Sequence, residues 1–130
     1  MAESFLSPLL RHPDAPWALI NQRTGQPLAT ALEAAFDSRT RNRGLLGRDG
    51  LAADAAMILA PCNAVHTFFM RFPIDILFVD RRGLVTAVAP DVAPWRLRLS
   101  MRAFATIEFP SGTLAQRETR RSDVLALTRL

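Results

Sequence analysis

At 130 residues the chain is long enough for one domain with a real core, and 49% apolar with 22% charged residues is the balance of an ordinary globular protein, not of a disordered or fibrous one. All sixteen basic residues are arginine, yet twelve acids hold the net charge to +4, so a nucleic-acid surface is not favoured. The single cysteine, Cys62, excludes an internal disulfide and fits a reducing compartment.

In chain order, residues 1–15 carry Pro8 and Pro13, with Pro16 following, and show no period. They read as an irregular lead-in to a single compact domain over 16–130. The start, M-A-E-S-F-L-S-P-L-L-R-H-P, lacks the basic and apolar regions of a secretory signal, and no apolar run has membrane-spanning length. A cytoplasmic protein with no membrane partner is expected. Trp17–Ile20 and Pro27–Thr30 flank N-Q-R-T-G-Q, which predicts a hairpin. Residues 31–36 are alanine-rich and fit either helix or strand. Asp37 or Ser38 is placed to cap a short helix that ends near Gly44. Met57–Leu59 predicts a short strand stopped by Pro61. His66–Met70 and Ile74–Asp80 read as strand, bulged at Arg71-Phe72-Pro73. The second piece is apolar on both faces apart from Asp75, as in a central strand. Asp80-Arg-Arg-Gly83 predicts a turn and Leu84–Val88 the return strand. Trp95–Arg102 has period two. Trp95, Leu97, Leu99 and Met101 form the face expected to be buried, and Arg96, Arg98, Ser100 and Arg102 the face expected outside. Ala105–Phe109 is a strand, Pro110–Arg117 a short helix capped by Ser111, and Val124–Thr128 a closing strand. Strands dominate. The expected class is α+β, mainly β, with a mixed or antiparallel sheet curled into a small barrel and one or two short helices.

Cys62 to Asp80 carries the candidate chemistry, because His66, Thr67, Arg71 and Asp75 run through an apolar stretch where polar groups must be paired or used. Asp75 lies between Ile74 and Ile76. Its structural reading is a carboxylate held by backbone N–H groups or by Arg71, and its functional reading is a polar group of a pocket. Alternation puts Phe68 and Met70 on the face of His66, either as core or as the apolar wall of such a pocket. Cys62 and His66 have a C-x-x-x-H spacing that suits a metal or a nucleophile–base pair. One cysteine and two histidines leave a zinc site short of ligands, so no metal and no cofactor are expected. Gly44 to Gly47 lacks the lysine of a phosphate loop.

G-L-L-G-R at 44–48, M-I-L at 57–59, H-T-F-F-M-R-F-P-I-D-I-L-F-V-D at 66–80, G-L-V at 83–85, I-E-F-P-S-G-T-L at 107–114 and S-D-V-L-A-L at 122–127 follow in an order that resembles the domain of unknown function 192 family. The resemblance covers roughly residues 17–130. It implies a compact α+β barrel-like fold and no particular reaction. The family usually has glycine before the last aspartate, where this chain has Ser122.

Three function classes follow, in this order. The first is a non-enzymatic binding module for a small polar or anionic ligand near His66, Arg71 and Asp75, with Thr67 and Met70 in its wall. The second is a protein-interaction or accessory module using Arg96, Arg98 and Arg102. The third is an enzyme with a His66/Asp75 acid–base pair, placed last because no second acidic group, glycine-rich cradle or nucleophile elbow accompanies it.

Overall fold

A computed structural model describes residues 3–130. The lead-in is not wholly irregular: Ser7–Arg11 form a short helix, α1. Pro8 sits in its first turn, where the missing N–H has no helical partner to lose. Leu6 and Leu9 anchor this segment in the core. Pro8 therefore marks a helix start rather than a break. The expected hairpin forms from β1 (Trp17–Asn21) and β2 (Pro27–Ala29). The ambiguous alanine-rich stretch becomes β3 (Ala31–Ala35). Helix α2 (Ser38–Arg43) then leads to β4 (Ala55–Leu59), which runs parallel to β3. Asp37 caps α2, accepting the Thr40 N–H at 2.8 Å, and the chain leaves the helix at Gly44.

Of the strand expected over 66–70, only the start forms: β5 is Ala64–His66, and the chain turns away through Phe69 at φ +65°. Next come β6 (Ile74–Val79) and β7 (Val85–Val92), joined by the expected Asp80–Gly83 turn. The Asp80 carboxylate accepts the Arg82 and Leu84 N–H groups at 2.9 and 3.0 Å. Gly83 has φ +87°, and a Cβ there would lie 2.2 Å from the Leu125 carbonyl oxygen. This position admits only glycine. The chain continues through β8 (Leu97–Leu99), β9 (Ala105–Pro110), α3 (Thr113–Gln116) and β10 (Leu125–Arg129). Ser111 does not cap α3, which begins at Gly112 in the left-handed region; the Ser111 hydroxyl instead donates to the Asp91 carboxylate at 2.6 Å. Ser122, where glycine was expected by resemblance, keeps a φ of +76°.

The class is mainly β, with three short helices rather than one or two. The strands form three sheets, ordered β10-β1-β2, β3-β4-β9-β6-β7 and β5-β8. None closes into the expected barrel. The small and large sheets approach at two corners, where Thr30 alone separates β2 from β3 and an isolated bridge joins Leu84 to Val124. The ladder is interrupted at both, so the sheets pack face to face instead.

The large sheet is buried on both sides, which explains its continuous apolar runs. Leu77 and Val79, Ile58, and Ile107 and Phe109 meet Leu19, Leu28 and Leu125 of the small sheet, together with Leu6 and Leu9. On the other side Ile74, Ile76 and Phe78, with Met57 and Leu59, are covered by Leu45 and Met70.

The third sheet overturns the expected orientation of 95–102. Trp95, Leu97, Leu99 and Met101 are 55%, 57%, 55% and 82% exposed, while Arg98 is half-buried and Arg96 and Arg102 are exposed. Period two shows that the faces differ, but it does not show which one meets the core. The two-stranded ribbon presses Val65 of β5 inward and turns its other face out.

Candidate functional site

Asp75 is almost wholly buried on the face of β6 that carries Leu77 and Val79. Its Oδ1 accepts the Asp91 N–H and its Oδ2 the Leu114 N–H, both at 2.8 Å. The carboxylate thus ties β6 to the bent end of β7 and to the first turn of α3. The expected pairing with Arg71 does not form. Arg71 is exposed and reaches Asp49 at 2.9 Å, because the chain leaves the sheet plane before Pro73. Such a surface pair contributes little to stability.

Thr67 is buried and fully engaged. Its hydroxyl donates to the Ala93 carbonyl at 2.7 Å and accepts the Arg96 N–H at 2.9 Å, pinning the start of β8. Met70 packs in the second core cluster. His66 is exposed at the end of β5; its Nδ1 accepts the Phe68 N–H at 3.2 Å, and its ring stacks on Phe68 with centroids 4.8 Å apart. The five candidate residues are therefore not one constellation. Asp75 and Thr67 are bound up in backbone hydrogen bonds, and no hydrogen bond joins His66 to Asp75 as an acid–base pair would require.

Two adjoining clefts lie around Cys62 and Asn63. A cleft of about 710 Å³ is lined by Pro61–Asn63, Asp80–Arg82 and Arg102–Phe104. A second, of about 460 Å³, shares Pro61, Cys62 and Asn63 and adds Arg41, Asn42, Leu59 and residues 64–66. Arg81, Arg82 and Arg102 of the first cleft form no ion pair among the described residues. The Arg81 guanidinium lies over the Phe104 ring at 4.2 Å, which leaves its edge free to donate. Asp80 is the acid of this wall, and one of its oxygens is taken by the turn. Arg41 in the second cleft donates to the Ala60 carbonyl and the Ser38 hydroxyl, both at 3.3 Å. The Cys62 thiol is half-buried and donates to the Ala64 carbonyl at 3.3 Å. Among the described residues no three of His, Cys, Asp and Glu stand together as metal ligands would.

Glu108 escaped the sequence reading, although it has the same signature as Asp75: an acid between two large apolar residues, Ile107 and Phe109, in a strand. It is 4% exposed, on the opposite face of the large sheet from Asp75, between Met57 and Ile76 in register. Among the described residues nothing donates a hydrogen bond to its side chain, and desolvation alone shifts it. Burial pushes its carboxyl up to about 7. Glu108 is the second buried acid that seemed absent, but the sheet separates it from Asp75. A third, Asp123, is structural. The Arg23 guanidinium at 2.6 Å holds its carboxyl well below the usual range, helped by the Arg120 N–H and the Asn21 amide.

Among the described residues no helix is long and apolar enough to cross a membrane. Among solved structures, the fold is similar to a "putative transcription regulator" from Sinorhizobium meliloti 1021, with a TM-score of 0.74 at 21% identity over 85% of this chain and 91% of that one. It is similar also to a protein of unknown function from Novosphingobium aromaticivorans DSM 12444, with a TM-score of 0.73 at 21% identity over 85% of this chain and 82% of that one. At that identity the likeness shows the fold alone. No curated protein matches the chain. Residues 19–127 match DUF192, described as Uncharacterized ACR, and the chain belongs to this family of uncharacterised proteins.

Proposed function

We propose that the protein is a non-enzymatic binding module for a small anionic ligand, held in the cleft around Cys62 and Asn63 in a reducing cytoplasm. One observation carries this reading: Arg81, Arg82 and Arg102 line a single cleft without ion-pair partners among the described residues, with the Asn63 amide beside them. Guanidinium groups recognise phosphate and carboxylate oxygens through paired donors, and a concave wall strengthens each contact by limiting solvent. His66 and Arg41 extend the donor set through the adjoining cleft. Arg71 and Asp75 have no part in this site, since neither lines either cleft. Without an acid–base pair in the cleft, binding rather than turnover is the better reading.

The test is thermal unfolding with inorganic phosphate, pyrophosphate and citrate at fixed ionic strength. An anion present at ten times its dissociation constant adds about 1.4 kcal/mol, a rise of roughly 5 °C in a domain of this size. We expect such a rise with at least one anion, and its absence with all three would remove the proposal.

A further inference from the structure

Eight large apolar side chains are exposed among the described residues, and six of them, Phe68, Phe69, Trp95, Leu97, Leu99 and Met101, belong to the β5–β8 ribbon and its turns. A soluble surface scatters such residues singly; gathered, they mark a contact. The cross-strand register pairs Ala64 with Leu99 and His66 with Leu97, so β5 and β8 present one outward face. The rings are fixed against one another. His66 stacks on Phe68, Phe68 on Trp95 at 5.8 Å, and Phe69 tilts against Trp95 at 4.6 Å. Phe69 and Trp95 both have positive φ, at +65° and +68°. Bulky residues adopt that conformation at a cost, and here it displays two aromatic rings to solvent.

The segments that build the platform carry only positive charge. Neither residues 61–74 nor 92–107 include an acid, while Arg96 and Arg98 flank the apolar face. Their guanidiniums donate to the carbonyls of Pro94, Trp95 and Leu97 along the outer edge of β8, which keeps positive charge at the rim. We infer that the ribbon is a docking surface for an acidic segment of a partner protein that carries apolar side chains of its own. Aromatic residues, methionine and arginine are the types enriched in protein interfaces, and a pre-ordered platform loses little freedom on binding. A second copy fits poorly, because a two-fold contact of this face with itself would offer the arginines no acid from these segments. This surface is separate from the anion cleft and does not depend on it.

Two labelled sixteen-residue probes test the inference, one alternating leucine with glutamate and one alternating leucine with lysine, titrated by fluorescence anisotropy. The glutamate peptide should bind at least tenfold more tightly than the lysine peptide. It should lose at least tenfold in affinity with Leu97→Ser/Leu99→Ser, and several-fold with Arg96→Gln, in proteins whose circular dichroism and melting temperature match wild type. Should the double variant fail to fold, Met101→Ser, the most exposed of the six, takes its place. Equal binding of the two peptides, or no binding of either, would overturn the inference. Co-sedimentation with phosphatidylserine vesicles, abolished by the same variant, would assign the face to lipid instead. A monomer–dimer equilibrium abolished by it in the ultracentrifuge would assign the face to a second copy.

Discussion

Asp75 and Glu108 show how differently one sheet treats two buried acids. Asp75 has a donor on each oxygen, and both donors are backbone N–H groups of other elements. Asp75→Ala should therefore leave two N–H groups unpaired and cost on the order of 2–4 kcal/mol in urea unfolding. Asp75→Asn should also destabilise, because its amide turns an N–H toward another N–H. Wild-type stability in both variants would contradict the structural role. Glu108 has no donor among the described residues, so burial favours its neutral form. Its carboxyl, raised from 4.5 to about 7, keeps a proton that the unfolded chain releases. The contribution is thus complete below pH 4.5 and lost as pH rises to 7, an effect of about 3 kcal/mol at most. Glu108→Gln should flatten that decline and be the more stable protein at pH 8. An unchanged pH profile would show that Glu108 is not held neutral.

At the scale of elements, much was legible where a residue type admits one backbone geometry. The Asp37 cap, the 22–26 turn and the Asp80–Gly83 turn all fall where Asp and Gly place them. Gly83→Ala should lower stability by on the order of 2–4 kcal/mol in thermal unfolding, since its Cβ would meet the Leu125 carbonyl. Ser122→Gly should raise stability by up to about 1 kcal/mol, because φ +76° strains serine and not glycine. A fall would show that the serine side chain matters more than its backbone. The Trp95–Arg102 strand was illegible in a particular way. Alternation is symmetric, so it cannot tell whether Trp95, Leu97, Leu99 and Met101 face the body or solvent. Helix α1 was hidden because Pro8, in its first turn, looks like a breaker.

For the whole molecule, the mainly β class followed from the density of short apolar runs, while the count and closure of sheets did not. Closure depends on whether ladders continue through the corners at Thr30 and at Leu84–Val124, which no local pattern encodes. The cleft was only partly legible. Cys62 and His66 border the two clefts, but Arg81, Arg82 and Arg102 come from two other segments, and only folding brings them there. Stability should reflect both displaced acids. It falls below about pH 4 as Asp123 gains a proton and loses Arg23, and it falls above about pH 5 through Glu108. Denaturant titrations across pH 3–8 should place the maximum near pH 4–5, and a maximum at pH 7 or above would contradict the assignment of Glu108. The proposed anion cleft is tested most directly by calorimetric titration of pyrophosphate into wild type, Arg82→Gln/Arg102→Gln and Arg71→Gln. The cleft predicts at least tenfold weaker binding in the double variant, a loss of about 1.4 kcal/mol or more, and wild-type affinity in Arg71→Gln. Equal affinity in all three proteins, or a loss confined to Arg71→Gln, would contradict it.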